Sequence, residues 1–180
     1  GSGVPTTPTY IILAAIVAPT LAQLGVPQLS THFFVFYYGV LADVTPPVAL
    51  AAFAAAGISR GEPMRTATTA FRLSMGKALV PFAFVYTPAL LLVDFTWSAF
   101  FIGLVSITVA VIGLGAAYTG YVNRPVRRPA FWALNLFSLS LIFANPTMSA
   151  IAVPVVLFIV AWHMRPLLGA PGAPLGAVAG

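Results

Sequence analysis

The sequence predicts an all-α integral membrane protein: a re-entrant hairpin arm, one proline-broken span, then about four transmembrane helices. Three observations predict it. Hydrophobic residues make up 60% of the 180-residue chain and charged residues only 6%, where a soluble domain carries about 25% charged residues. Mean hydropathy is +1.00. The eight Lys and Arg and the three Asp and Glu leave long uncharged runs between them. So few charges cannot cover a water-facing surface, and lipid must solvate most of the chain.

The elements follow in chain order. A span needs ~20 apolar residues to cross ~30 Å of hydrocarbon. Residues 9–24 are apolar but short and contain Pro19, which suits one arm of a re-entrant hairpin. Residues 25–32 read as a turn-rich polar break. Residues 33–58 form one span interrupted at Ala42-Asp43-Val44-Thr45-Pro46-Pro47. A Pro-Pro pair removes backbone donors from a helix interior, and Thr45 before Pro46 is pushed out of helical geometry. Pro47 is expected to open the second half at its first turn.

Residues 62–77 read as an interfacial amphipathic helix opened by Glu62-Pro63. The stretch 59–77 holds Arg60, Glu62, Arg65, Arg72 and Lys77. Residues 78–93 make the next span, kinked by Pro81 and Pro88 and ended by Asp94, which reads as a helix-end residue or as the N-cap of the span that starts near Trp97. Residues 95–122 contain no Asp, Glu, Lys or Arg and are the clearest span. Gly103, Gly113, Gly115 and Gly120 offer small surfaces for helix contact there. Asn123 to Pro129 is a loop. Residues 129–164 are again uncharged and would make ~54 Å of helix, too long for one crossing. Asn145-Pro146 therefore splits them into a two-helix hairpin, with Trp132 and Trp162 at the same membrane face and Arg165-Pro166 as its close. The Gly/Ala/Pro-rich stretch 167–180 is expected to be disordered. The organisation is thus 1–93 as one unit and 97–166 as additional C-terminal transmembrane helices.

Charge gives the orientation. With residues 59–77 in the cytoplasm, loop 123–129 and the tail also fall inside. All eight Lys and Arg then lie on the cytoplasmic side, as the positive-inside rule requires.

Several function classes are excluded. Cysteine is absent, so there is no disulfide framework or thiolate metal site. Two histidines with no cysteine argue against a transition-metal centre. No P-loop or paired-histidine motif is present, no nucleophile and base stand in register for an enzyme, and no basic stripe with interleaved aromatics points to nucleic acid. No cofactor is expected beyond a coupling ion.

Two segments carry chemistry. The first is Gly1 to Thr9, which would form the tip of the hairpin if 9–24 is its arm, with Thr6, Thr7 and Thr9 adding hydroxyls. Irregular backbone at membrane depth is tolerated only when buried in protein or lining a watery cavity. The helix that follows turns its positive end toward the tip, which suits an anion. An ordinary extramembrane loop fits the same residue types. The second is Gly39 to Pro47, in the middle of a span. Broken helices present carbonyls that ligate Na⁺ and amides that hold a carboxylate. Asp43 is the one carboxylate in the first 61 residues, and an ionisable residue inside a membrane is a functional candidate by default. It reads as an ion ligand or a proton carrier, or as the structural partner of an arginine elsewhere. His32 and His163 read as interfacial side chains, and Ser98, Ser106 and Thr108 as partners of their own helix backbone.

These segments together resemble a known family. The strings G-S-G-V-P-T-T at 1–7, G-V-P-Q-L-S-T-H-F-F at 25–34 and T-P-P-V-A-L at 45–50 are similar to the large membrane subunit of TRAP transporters. The run F-Y-Y-G-V-L-A-D-V-T-P-P-V-A-L-A-A-F-A-A-A-G-I looks like the fused TAXI-type branch. The resemblance covers residues 1 to about 93. It implies an elevator-type secondary transporter in the bacterial inner membrane. Such a permease imports a small organic acid from a periplasmic solute-binding protein, driven by a Na⁺ or H⁺ gradient. Carried over by position, the ion and substrate region would include Gly3, Val4, Thr6, Thr7, Gly39, Asp43 and Thr45. Pro5, Pro46 and Pro47 would hold the irregular backbone open. Two departures stand out: Ala49 replaces the glycine that usually follows T-P-P-V, and Asp43 is outside the general dicarboxylate pattern. Asp43 keeps proton coupling open beside Na⁺. The expected partners are the solute-binding protein, the remaining permease spans, the bilayer and the substrate. The chain opens in a loop motif without an initiator methionine or a charged n-region, which suggests the C-terminal part of a larger permease. Another elevator-type anion symporter and a non-transporting membrane scaffold are the competing readings.

Overall fold

The computed structural model describes residues 5–123 and 125–168, with side chains through Met164. Gly3, Val4 and the expected disordered stretch from residue 169 onward lie outside the described residues. Eight α-helices are present among those described, and no strand. They are α1 (Thr6–Gln23), α2 (Gln28–Ala42), α3 (Leu50–Ser59), α4 (Pro63–Ser74), α5 (Val80–Tyr86), α6 (Trp97–Thr119), α7 (Arg128–Ser140) and α8 (Pro146–Leu168). Short 3₁₀ turns follow α4 at Met75–Lys77, α5 at Pro88–Leu91 and α7 at Leu141–Phe143. Helices α1, α6 and α8 are long and apolar enough to cross a membrane. The all-α membrane fold is as the composition requires.

Helix α1 starts three residues before the expected arm. Pro5 occupies its N-cap. Pro8 sits in the first turn, where a missing N–H has no intrahelical acceptor to lose. Thr6, Thr7 and Thr9 are therefore helical rather than part of a loop. The turn to α2 is also tighter than the sequence suggests. Gly25 adopts φ 78°, donates its N–H to the Ala22 carbonyl at 3.0 Å, and lets Val26 N–H reach the Leu21 carbonyl at 3.0 Å. This is the Schellman arrangement, which needs a residue free to enter the left-handed region. Helix α2 then begins at Gln28, so Ser30, Thr31 and His32 belong to a helix and not to a polar break. Ser30 and Thr31 are almost fully buried.

The span 33–58 is broken as expected, but Pro47 does not open its second half. Pro46-Pro47 is cis and lies inside the break, and α3 begins at Leu50. Helix α3 folds back on α4 as a hairpin, with Ala49 and Ala52 packed on Ala67. Both carboxylate oxygens of Glu62 accept N–H bonds from the first turn of α4, from Met64 at 3.0 Å and from Arg65 at 2.5 Å. An anionic cap at a helix N-terminus is favoured by both its hydrogen bonds and the helix dipole.

Residues 78–93 are not one kinked span but two short pieces. Pro88 has no N–H and disfavours helical geometry in the residue before it; Thr87 accordingly takes φ −135° and α5 stops at Tyr86. Tyr38 Oη donates to the Ala78 carbonyl at 2.8 Å. The C-terminal half of α2 and the α4–α5 junction are thus neighbours. T-shaped pairs Phe34–Phe82 and Phe33–Phe84 continue the α2–α5 contact.

Helices α6, α7 and α8 share one apolar core built from Val109, Ala110, Leu114, Leu134, Leu141 and Val156. A Cβ on Gly113 would stand 2.2 Å from Ser138 Oγ and 2.8 Å from Val156 Cγ1, and one on Gly76 would stand 2.9 Å from the Val111 carbonyl oxygen. Close backbone approach thus locks α6 to its neighbours, as small residues permit in membranes. Gly103 lies against Thr87 and Leu90. Tyr86 and Phe143 meet at 4.8 Å between ring centroids. Gly76 beside Gly115 marks one end of this bundle, and Thr87, Gly103 and Phe143 mark the other.

Three capping and pairing expectations change. Thr96, not Asp94, caps α6, accepting from Ala99 N–H. Asp94 instead takes φ 48° in the preceding turn. Ser106 pairs with Ser149 Oγ at 2.9 Å, tying α6 to α8 rather than bonding its own backbone. Thr108 does bond its own helix, at the Leu104 carbonyl. The hairpin at Asn145-Pro146 forms, with Asn145 Oδ1 accepting from Thr147 N–H at 3.0 Å. Arg165-Pro166 does not close α8, which continues to Leu168.

Candidate ion and substrate site

Helices α1 and α2 form an antiparallel hairpin, so the N-terminus of α1 meets the C-terminus of α2. Thr6 in the first turn of α1 donates its hydroxyl to Asp43 Oδ2 at 2.6 Å. Gly39 is buried, and a Cβ there would come within 3.7 Å of the Thr6 carbonyl oxygen and 3.8 Å of the Tyr10 nitrogen. These are ordinary van der Waals distances, so α2 at Gly39 packs directly on the first turns of α1. The two segments that stood apart in the sequence are therefore one place in the fold.

Asp43 is a three-way joint. As the C-cap of α2 it donates its N–H to the Val40 carbonyl at 3.2 Å. Its carbonyl accepts from Ala51 N–H, in the first turn of α3, at 3.1 Å. Its carboxylate takes the Thr6 hydroxyl. The electrostatics of these contacts oppose one another. A carboxylate at the C-terminus of α2 faces the negative end of that helix, which disfavours it; the positive N-terminus of α1 offsets this. The surrounding carbonyls and the carboxylate make the α2 side attractive to a cation, while the α1 side is attractive to an anion.

The remaining sequence-predicted residues distribute unevenly. Thr45 turns its hydroxyl back to the Leu41 carbonyl at 2.8 Å, so it closes the end of α2. Pro46 and Pro47 occupy the break, and Pro5 precedes α1. Thr7 is exposed, one position round the helix from Thr6. Gly3 and Val4 lie outside the described residues.

Sequence reasoning missed Tyr10. Its hydroxyl lies 2.9 Å from His32 Nδ1, so His32 is tied to α1 rather than standing alone at an interface. Nothing in the sequence pairs a tyrosine and a histidine 22 positions apart; the helical hairpin does. Beside this pair, Thr31 and His32 line a cleft of about 610 Å³ against Ala14, Ala18 and Pro19. Ser30 Oγ and Thr31 Oγ1 are buried without a hydrogen-bond partner among the described residues. His163, at the far end of the chain, has Nδ1 at 2.8 Å from the Ile159 carbonyl of its own helix.

Residues 1–99 match the family model described as Tripartite ATP-independent periplasmic transporter, DctM component. The match spans α1 to α5 and stops at the first turn of α6. No curated protein matches the chain, and no solved structure does.

Proposed function

The chain belongs to the DctM family of tripartite ATP-independent periplasmic transporters, and from that premise we propose that the Thr6–Asp43 contact couples cation binding to substrate binding. The chain is a permease component of a membrane transporter, and DctM is a transporter family rather than an enzyme family. In the proposed reading it serves import of a small organic acid delivered by a periplasmic binding protein. Uptake is driven by Na⁺ or H⁺ through an elevator-type movement, with the basic segments on the cytoplasmic side of a bacterial inner membrane. The fused TAXI-type branch is the subgroup whose pattern the run 36–58 follows.

The observation that carries the coupling is the position of the Asp43 carboxylate at the N-terminus of α1. That is where a substrate carboxylate would be held by helix amides. Two carboxylates about 4 Å apart repel by roughly 4 kcal/mol at an effective dielectric of 20. An anionic substrate therefore binds there well only after Asp43 is neutralised, by a proton on its oxygen or by a Na⁺ held between it and the carbonyls of α2. Neutralisation releases the Thr6 hydroxyl and the α1 amides to the substrate. Cation first and anion second is the order that symport requires.

Asp43→Asn in the intact permease tests this. Asparagine keeps the shape and accepts the Thr6 hydroxyl but cannot bind a proton or carry the negative charge. The expected outcome in proteoliposomes is loss of ion-driven uptake by at least about tenfold, a ~1.4 kcal/mol effect. Wild-type uptake with unchanged dependence on Na⁺ and H⁺ would overturn the reading.

A further inference from the structure

We propose that the cleft between the start of α7 and the end of α8 binds the headgroup of an anionic phospholipid, of the phosphatidylglycerol kind. The cleft measures about 470 Å³ and is lined by Arg127, Pro129, Ala130, Trp162 and His163, with Pro125 at its edge. It lies outside the segment that matches the transporter family and takes no part in the Thr6–Asp43 site.

Three properties of the cleft point to this ligand. The first is its level in the membrane. Trp132 and Trp162 are 69% and 49% exposed and stand at the same end of the α7–α8 hairpin, beside the exposed Tyr121. Exposed Trp and Tyr gather at the headgroup layer, where an apolar ring with a polar edge is best solvated. The second is charge. Arg127 lines the cleft, Arg128 follows it in the chain, and the three acidic residues of the chain, Asp43, Glu62 and Asp94, are all remote in sequence. Asp94 lies in the turn before α6, at the opposite end of that helix, and Glu62 caps α4. Nothing acidic in the first turn of α7 and no side-chain cap neutralises its N-terminus.

The third is the donor and acceptor set. A guanidinium holds a phosphodiester by two parallel N–H bonds. His163 Nδ1 is engaged with the Ile159 carbonyl at 2.8 Å. Nδ1–H donates to that carbonyl, so Nε2 is the ring nitrogen left for a ligand in the cleft. A headgroup that offers a phosphodiester to Arg127 and a hydroxyl to His163 satisfies both; glycerol supplies that hydroxyl. The loop that carries Arg127 is held in place. Val126 N–H bonds the Gly120 carbonyl at 2.8 Å, and Asn123 Nδ2 reaches the Met164 carbonyl of α8 at 3.5 Å. Basic pockets between membrane helices at this level are suited to acidic headgroups.

The experiment is lipid retention by the purified full-length protein in nanodiscs of phosphatidylcholine doped with phosphatidylglycerol, read by native mass spectrometry after detergent exchange. Wild type is expected to keep phosphatidylglycerol in preference to phosphatidylcholine. Arg127→Gln is expected to lower the retained phosphatidylglycerol several-fold, while Arg127→Lys keeps part of it. Arg65→Gln, the same charge change on α4, is expected to leave it unchanged. Equal loss in the Arg65 and Arg127 variants would overturn the proposal, because the lipid would then be held by net charge alone. Retention of inorganic phosphate with no preference between the two lipids would overturn it as well. Should Arg127→Gln fail to fold, His163→Phe in the same assay decides the matter: unchanged retention rejects the site.

Discussion

The two ends of the molecule solve the membrane problem differently. Helices α6 to α8 bury a continuous apolar core around Ala110, Leu114, Leu134 and Val156, crossed by the serine pair Ser106–Ser149. Helix α1 has no buried residue. Helix α2 buries Ser30, Thr31, Val35 and Gly39, of which only one is a large hydrophobe. The C-terminal three-helix unit is held by shape. The α1–α2 hairpin carries specific polar contacts, Thr6–Asp43 and Tyr10–His32, beside ordinary van der Waals contact at Gly39. Apolar packing resists rearrangement because every atom already has partners. A hairpin joined by hydrogen bonds to an ionisable group can change its contacts when that group changes charge. The comparison assigns stability to one end and exchange to the other.

Three substitutions break or sharpen this contrast. The largest effect is expected from Gly113→Val, where even the first added carbon would lie 2.2 Å from Ser138 Oγ. Forcing extra carbons into a packed interface costs typically 1–3 kcal/mol, and more where backbone must move. Thermal unfolding in detergent should show a clear loss of stability. Gly115→Ala, whose Cβ meets nothing within 4 Å, is the matched control and should change it little. A tolerant Gly113 would mean that α6–α8 is not held by shape.

Thr6→Val comes next. It keeps the side-chain shape and removes the hydroxyl on Asp43. A hydrogen bond to a charged group contributes about 1.5–3 kcal/mol. Substrate and ion affinity in the intact permease should therefore shift by more than tenfold at the stronger limit, while unfolding of the α6–α8 unit stays at its wild-type midpoint. A change in stability with transport intact would reverse the assignment of the two ends.

The smallest effect belongs to Ser138→Ala. Ser138 Oγ is fully buried and has no hydrogen-bond partner among the described residues. An unsatisfied buried hydroxyl is a cost rather than a contact, so its removal should be neutral or stabilising by about 1 kcal/mol or less. A marked destabilisation, measured by the same unfolding assay, would show that the hydroxyl makes a contact not visible in this fold.

Much of the site was legible in the sequence because helix termination is a local matter. Pro46-Pro47 cannot sustain helical hydrogen bonds in any surroundings, and Asn145-Pro146 splits an overlong apolar run for the same reason. Asp43 was conspicuous because a carboxylate within an apolar segment is costly wherever it sits. The start of α1 was less legible. Thr6-Thr7-Pro8-Thr9 has turn-like composition, yet prolines are at home in a first helical turn. Asp94 and Thr96 are both good caps by type. The backbone of the preceding turn, with left-handed residues at Leu92 and Asp94, leaves the extended geometry of a cap to Thr96.

Three properties were legible before any fold: the chain lives in lipid, its helices break at defined places, and its charged segments lie apart from the apolar runs. Those properties follow from composition and from each residue's own backbone chemistry. It took the packing of the helices to bring Thr6 to Asp43 across 37 positions, Tyr10 to His32, and Ser106 to Ser149 rather than to its own helix. A side chain with several competent partners takes the one that packing brings within reach, and packing is a property of the whole fold.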